Sequence, residues 1–275
     1  MIMLDELQLI DSELYKERRS NSMSTNYNRL INNLETLHLN NMALNISDYL
    51  GMIANGSKTP VDALYELTEK ECIFQREKAI KSCVKTAGFP FEKTLKDFDF
   101  AFQPSINKEE MEDYASLRFL ENNENILFIG SSGTGKTHLA TSIGIEAAKN
   151  RYSVHYIAFH DLINELKKAE MENRLEKRIK AFVRYKLLII DEIGYLNYDK
   201  NAGNLFFQLI SKRYEQRSTI VTSNRSLAKW GEIFGDAVIA NAILDRLLYH
   251  SHIVNIVGPS YRTKDIMESL NDSDN

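Results

Sequence analysis

Residues 126–140 read Ile-Leu-Phe-Ile-Gly-Ser-Ser-Gly-Thr-Gly-Lys-Thr-His-Leu-Ala. The apolar run Ile126–Ile129 has the length of a buried strand, and Leu139, Ile143 and Ala147 continue at helical spacing. Between them lies Gly130–Thr137, G-S-S-G-T-G-K-T, the pattern of a phosphate-binding loop in its expected strand–turn–helix setting. A triphosphate concentrates negative charge and needs converging donors. Backbone N–H groups supply them where glycines keep side chains out of the way. The following helix turns its positive dipole end to the same point. The nucleotide-binding stretch is therefore expected to be Gly130, Ser131, Ser132, Gly133, Thr134, Gly135, Lys136, Thr137 and His138. Lys136 would reach the β- and γ-phosphates of ATP, and the Thr137 hydroxyl would ligate Mg²⁺.

Downstream of this loop, strand and helix patterns alternate. Strands are predicted over 154–159, 187–190, 219–222 and 253–257, with helices over 161–184, around Leu205–Ile210 and over 239–248. This order calls for an α/β fold with a parallel sheet flanked by helices on both faces. Ligands on such sheets sit at the carboxyl ends of the strands. The phosphate loop, Asp191-Glu192 and Asn224 each follow a strand directly, so the fold should gather them at one edge.

Asp191 at the end of Leu187-Leu188-Ile189-Ile190 suits Mg²⁺ held through its water shell. Glu192 suits a different task, orienting the attacking water and accepting its proton. Asn224 carries both donor and acceptor and could bridge that water and the γ-phosphate, although Ser-Asn-Arg also reads as a loop start. Arg246, in Leu-Asp-Arg-Leu, is either a surface arginine paired with Asp245 or a finger inserted into a neighbouring subunit's site. Arg262 could contact the phosphates from the same subunit, and the sequence alone does not separate these two arginine roles.

Upstream, residues 1–25 form a polar extension. Residues 26–92 read as a small all-helical domain of three helices. The first carries Tyr27, Leu30, Ile31, Leu34 and Leu37, and the second Leu44, Tyr49, Leu50 and Ile53. The third starts at Thr59-Pro60 and stops at Gly88. The ATPase domain is expected over 93–268 and a polar tail over 269–275. Within the former, residues 93–104 read as a linker with alternating Phe98, Phe100 and Phe102. One helix with Met111, Tyr114, Leu117 and Leu120 then follows an Asn107/Glu110 capping box.

The 275 residues carry a net charge of −4, so any nucleic-acid site must be local. Cys72 and Cys83 have no metal-binding or disulfide pattern, and His250 and His252 read as ordinary residues. The absence of a signal-like start and of long apolar runs makes a cytoplasmic location the expectation.

Linked blocks carry a more specific resemblance. They are Phe89-Pro90 with Lys93-Thr94-Leu95 and Phe98-Asp99-Phe100, then Gly130–Ala140 and Leu188–Tyr195. Thr222-Ser223-Asn224, Trp230–Asp236, Leu244–Leu247 and Ser260-Tyr261-Arg262 follow. In this order they resemble the IstB family of insertion-sequence ATP-binding transposition helpers, relatives of the helicase loader DnaC. Ser131 departs from the proline that many relatives carry. The resemblance implies an AAA+ P-loop ATPase that forms a homo-oligomer with ATP between subunits, binds duplex DNA and assists a partner transposase. It also implies Walker A roles for Lys136 and Thr137, Walker B roles for Asp191 and Glu192, sensor roles for Asn224 and Arg262, and the finger role for Arg246.

Local basicity agrees with a DNA partner. Lys167 and Lys168 precede a segment holding Arg174, Lys177, Arg178, Lys180, Arg184 and Lys186 against one acid, Glu176. Composition alone equally allows a solvated helix face. The nearest alternative function is a replicative helicase loader. A small-molecule kinase and a DNA-binding scaffold with structural ATP stand further off.

Overall fold

Five short runs rich in isoleucine, leucine, valine and threonine assemble the sheet that positions everything else. The computed structural model describes residues 25–264. The expected polar extension, apart from Thr25, and the expected polar tail over 269–275 lie outside the described residues. The chain divides into two compact units, 1–79 and 80–275, with the division inside a helix.

The first unit contains a helix over residues 25–36 (α1), α2 (Asn40–Ala54) and most of α3 (Pro60–Ala87). Its core is Leu34, Met42, Ile46, Tyr49, Ala63 and Leu67. The buried face of α2 is therefore Met42, Ile46 and Tyr49, at the four-and-three spacing of one stripe. Leu44, expected on that face, is 82% exposed, because two residues from Met42 is more than half a turn around the helix. Leu37 lies past the end of α1 and is likewise exposed. Thr59 caps α3 by accepting from Asp62 N–H.

In the second unit, the strands β1 (Asn125–Gly130), β2 (Val154–Ala158), β3 (Leu187–Ile193), β4 (Ser218–Ser223) and β5 (Ser251–Ile256) form one sheet. Its order is β2-β3-β4-β1-β5, with every pairing parallel. Alternate residues serve opposite faces. Leu127, Ile129, Leu188, Ile190 and Val221 join the core formed with α7 (Phe159–Met171), α8 (Leu175–Arg184), α9 (Lys200–Arg213), α10 (Trp230–Phe234) and α11 (Ala237–Leu248). Ile126, Phe128, Leu187, Ile189 and Ile220 join the core formed with α4 (Lys108–Ala115), α5 (Arg118–Glu121) and α6 (Lys136–Lys149). Burial on both faces explains the near-continuous apolar runs of β1 and β3. The order seats β1 beside β4, and β4 beside β3, so the phosphate loop, Asn224 and Asp191 meet at the carboxyl edge.

Several expected boundaries move for identifiable reasons. The helix expected over 161–184 is two helices. Asn173 takes a left-handed conformation (φ 53°), and the Arg174 and Asn173 N–H groups close back on Ala169 O and Glu170 O. Asparagine tolerates that conformation without glycine. Leu117 (φ 69°) likewise splits the helix expected after Asn107 into α4 and α5. Asn107 does cap α4, accepting from Glu109 and Glu110 N–H, but the Glu110 side chain accepts from the Tyr114 hydroxyl instead of completing a capping box. The strand expected to reach Phe159 stops at Ala158, since Phe159 opens α7 with a fully buried ring. The short α10 is not apparent from spacing. No helix among the described residues is long and apolar enough to cross a membrane.

Candidate active site

The loop between β1 and α6 is built by close approaches from three directions. A Cβ at Gly130 would collide with Ile256 O on the neighbouring strand. Gly133 (φ 79°) lies against Ser260, and its carbonyl accepts the Tyr261 N–H at 2.9 Å. Gly135 (φ 97°) is the residue just before α6, and a Cβ there would come within 2.6 Å of the Phe98 ring. The backbone is thereby left bare over the loop, as a polyphosphate requires.

Inside it, Lys136 is 8% exposed and donates to Ser131 O at 2.6 Å. Burial draws its pKa below the usual lysine range, and the Asp191 charge opposes that shift. A cation so enclosed is ready for an anion at the loop mouth.

Asp191 is 2% exposed and is surrounded by hydroxyl donors. Thr137 Oγ1 lies 3.1 and 3.0 Å from its two oxygens, Tyr156 donates to Oδ2 at 2.6 Å, and Thr222 donates to Oδ1. Burial, with the Asp191 charge beside it, pushes the Tyr156 phenol pKa well up, so that side chain stays a donor.

A cavity of about 240 Å³ opens above this floor. Of the expected residues, Ser132, Gly133, Thr134, Gly135, Lys136, Thr137, His138, Glu192, Asn224 and Arg262 line it. Gly130, Ser131 and Asp191 are not in that lining: Asp191 is buried and Ser131 is exposed. Asn224 Oδ1 is buried with no hydrogen-bond partner, an acceptor that a bound polar group would satisfy. The segment expected to be a linker is a wall of the cavity. Lys93, Asp97, Phe98, Asp99 and Gln103 all face it, with Phe91 just ahead of them. His138 Nε2 donates to Thr94 O at 2.9 Å, since a carbonyl can only accept, and Ser142 donates to Lys93 O at 3.1 Å. These two bonds fix that wall along α6. Tyr195, Thr222 and Tyr261 complete the lining. Of the alternating phenylalanines, Phe98 lines the cavity and Phe100 packs against the core. Nothing in spacing alone pairs Tyr156 with Asp191.

Arg246 is not part of this cavity. It sits in the last turn of α11, which delivers the chain to the amino end of β5, away from the loop at the carboxyl edge. Its guanidinium lies over the Phe207 ring at 4.5 Å and donates to Ala242 O at 3.0 Å. Asp245 is 4.0 Å away and 83% exposed, a loose partner.

The residues fit a magnesium–nucleotide. Among the described residues no three His, Cys, Asp or Glu side chains gather around one point. Magnesium in nucleotide sites takes one or two protein oxygens and completes its shell from phosphates and water. Thr137 and Asp191, in hydrogen-bond contact beside the buried Lys136, are such a pair.

The expected DNA-binding residues lie on α7, α8 and the corner between them. Lys168, Arg174, Lys177 and Lys180 are exposed, and Lys167 and Arg178 are half-buried. Lys167 pairs with Asp199, Arg174 with Glu172, Arg178 with Glu165 and Lys180 with Glu176.

This sheet order, with a glycine loop after β1 and paired acids at the carboxyl end of β3, defines an AAA+ P-loop NTPase with an N-terminal helical region. The chain belongs to the IstB-like ATP-binding proteins, whose family model matches residues 32–269, and it is an ATPase of that class. It is 52% identical over 250 residues to a Bacillus thuringiensis subsp. berliner protein described as the ATP-binding protein of insertion sequence IS232, covering 91% of this chain and 100% of that one. A Pseudomonas aeruginosa protein, described in the same way for IS21, is 40% identical over 232 residues, covering 84% and 88%. Among solved structures, AMPPCP-bound DnaA from Aquifex aeolicus superposes with a TM-score of 0.53 at 22% identity, covering 67% of this chain and 56% of that one. DnaI gives 0.50 at 21%, covering 62% and 90%. These two likenesses concern the fold alone.

Proposed function

We propose that the chain hydrolyses ATP with Mg²⁺ at the β1–α6 loop, assembles in its ATP state on duplex DNA, and assists a partner transposase. Lys136 and the loop N–H groups hold the phosphates. Mg²⁺, when bound, would supply charge neutralisation to the phosphates. Thr137 and Asp191 hold that ion, Glu192 orients the attacking water and takes its proton, and Asn224 bridges water and γ-phosphate. Arg262 contacts the phosphates within the subunit. Arg246 acts on the neighbour's ATP, and such an arginine typically raises turnover by about 10³- to 10⁵-fold.

The observation that carries the assembly reading is the distance in the fold between Arg246 and its own cavity: one edge of the sheet binds, and the other offers a cation. The exposed basic residues of α7 and α8 supply phosphate contacts, so binding should be salt-sensitive and poor at sequence discrimination. The transposase partner rests on the insertion-sequence relatives.

Mixing Arg246→Ala subunits with Lys136→Ala subunits tests the shared site. Each alone should be inactive, and the mixture should regain a fraction of wild-type turnover, because some interfaces then pair an intact loop with an intact arginine. No recovery at any ratio would exclude a site completed by the neighbour.

A further inference from the structure

The β3–β4 ladder slips where the two acids lie. Ile190 pairs with Val221, yet Ile193 pairs with Ser223, so Asp191 and Glu192 together stand opposite Thr222 alone. In a regular strand, successive side chains point to opposite faces. Asp191 would then face one side of the sheet and Glu192 the other. An extra residue inserted into one strand bends it and re-aims its side chains. Here Glu192 takes φ 65°, a left-handed conformation costly for a residue with a Cβ, and its side chain lines the cavity above buried Asp191.

A slipped ladder leaves backbone groups without their regular partners. The Glu192 N–H is such a group, and it donates to Thr222 Oγ1 at 2.9 Å. The same hydroxyl donates its own proton to Asp191 Oδ1. Thr222 is 1% exposed and borders the cavity, and its hydroxyl makes both bonds at once. One oxygen atom thus ties the backbone of one acid to the carboxylate of the other.

We infer that Thr222 is the positioning residue of the hydrolytic site: its hydroxyl holds the strand slip that lets Asp191 and Glu192 serve one cavity from adjacent positions. Tyr156 is a secondary clamp, fixing only Asp191 through Oδ2. The two residues therefore divide their effects. Loss of the Thr222 hydroxyl disturbs cation holding and water orientation together, and loss of the Tyr156 hydroxyl disturbs cation holding alone. This inference rests on the roles proposed above for Asp191 and Glu192.

The test compares Thr222→Val, Thr222→Ser and Tyr156→Phe in the full chain. Three quantities are read: steady-state ATP hydrolysis, the Mg²⁺ concentration that half-saturates binding of a fluorescent ATP analogue, and amide exchange of a peptide spanning residues 191–193. Thr222→Val should lower kcat about 10- to 100-fold, the usual range for partners of metal-holding groups. Its KM for ATP should stay within about threefold, since Lys136 and the loop are untouched. Its half-saturating Mg²⁺ should rise several-fold, and the 191–193 peptide should lose protection without nucleotide. Thr222→Ser should restore all three, and Tyr156→Phe should shift the Mg²⁺ requirement while leaving the peptide protected. Should Thr222→Val fail to fold, Thr222→Cys makes the same comparison with a thiol, a poor hydrogen-bonding group.

Wild-type turnover, Mg²⁺ requirement and amide protection in Thr222→Val would overturn the inference. So would a serine variant as impaired as the valine one, since the methyl group would then be what matters. If Glu192→Gln hydrolyses ATP normally, the proposed role of Glu192 falls first. If Glu192→Gln is slow and Thr222→Val is not, only the clamp falls.

Discussion

At the scale of single residues, the proposed roles separate holding from reacting. Lys136 and Asp191 are almost wholly buried, and their partners are fixed by the loop and by three hydroxyls. Glu192 is exposed to the cavity and free to meet water. Glu192→Gln keeps the size and the backbone bond to Thr222 but removes the proton acceptor. It should bind ATP with near wild-type affinity and turn over about 10²- to 10⁴-fold more slowly, as single-turnover measurements would read. Turnover near the wild-type rate would assign the base elsewhere. The residues most legible in the sequence belong to this scale. Lys136, Thr137, Asp191, Glu192, Asn224 and Arg262 each stand at a strand end or in a motif. Thr222 and Tyr156 carry no local signal for their roles, because their contacts depend on which strands are neighbours, and spacing does not encode that.

At the scale of elements, periodicity locates every strand of the sheet but misjudges where helices stop. Backbone conformation explains this. Asn173 and Leu117 end helices with positive φ, and only glycine announces that conformation reliably in a sequence. Three-and-four spacing also fails to choose the buried face of α2, where leucines at 44 and 50 lie outward and Met42 and Ile46 lie inward. The α7–α8 corner offers a stability test. Asn173→Val places a β-branched residue at φ 53° and should destabilise the protein by about 1–2 kcal/mol. Asn173→Gly should be neutral within a few tenths. Equilibrium denaturation of both variants reads the difference, and equal stabilities would show that the corner relaxes freely.

At the scale of the whole molecule, a net charge of −4 coexists with a basic surface on α7 and α8. Most of that surface is internally paired. Exposed ion pairs are weak, so phosphates can displace the carboxylates at small cost. Lys168 and Lys177 are exposed and sit on successive helices. If they touch phosphates, Lys168→Ala and Lys177→Ala should each weaken duplex binding uniformly across sequences. Each substitution should also lower the slope of log affinity against log salt by about 1, the share of one neutralised phosphate. Fluorescence anisotropy over a salt series measures this, and unchanged slopes would move the DNA surface elsewhere.

The strand order also dictates a timetable. Strand β1 is hydrogen-bonded to β4 on one side and β5 on the other, and both follow it in the chain. Gly133 is buttressed by Ser260 and Tyr261, later still. During synthesis, β1 therefore waits without either ladder partner for roughly a hundred residues, and the phosphate cradle is not braced until Tyr261 has left the ribosome. A nascent chain cannot hold nucleotide at this loop in its finished form before then, so ligand-assisted folding begins only once that bracing segment has emerged.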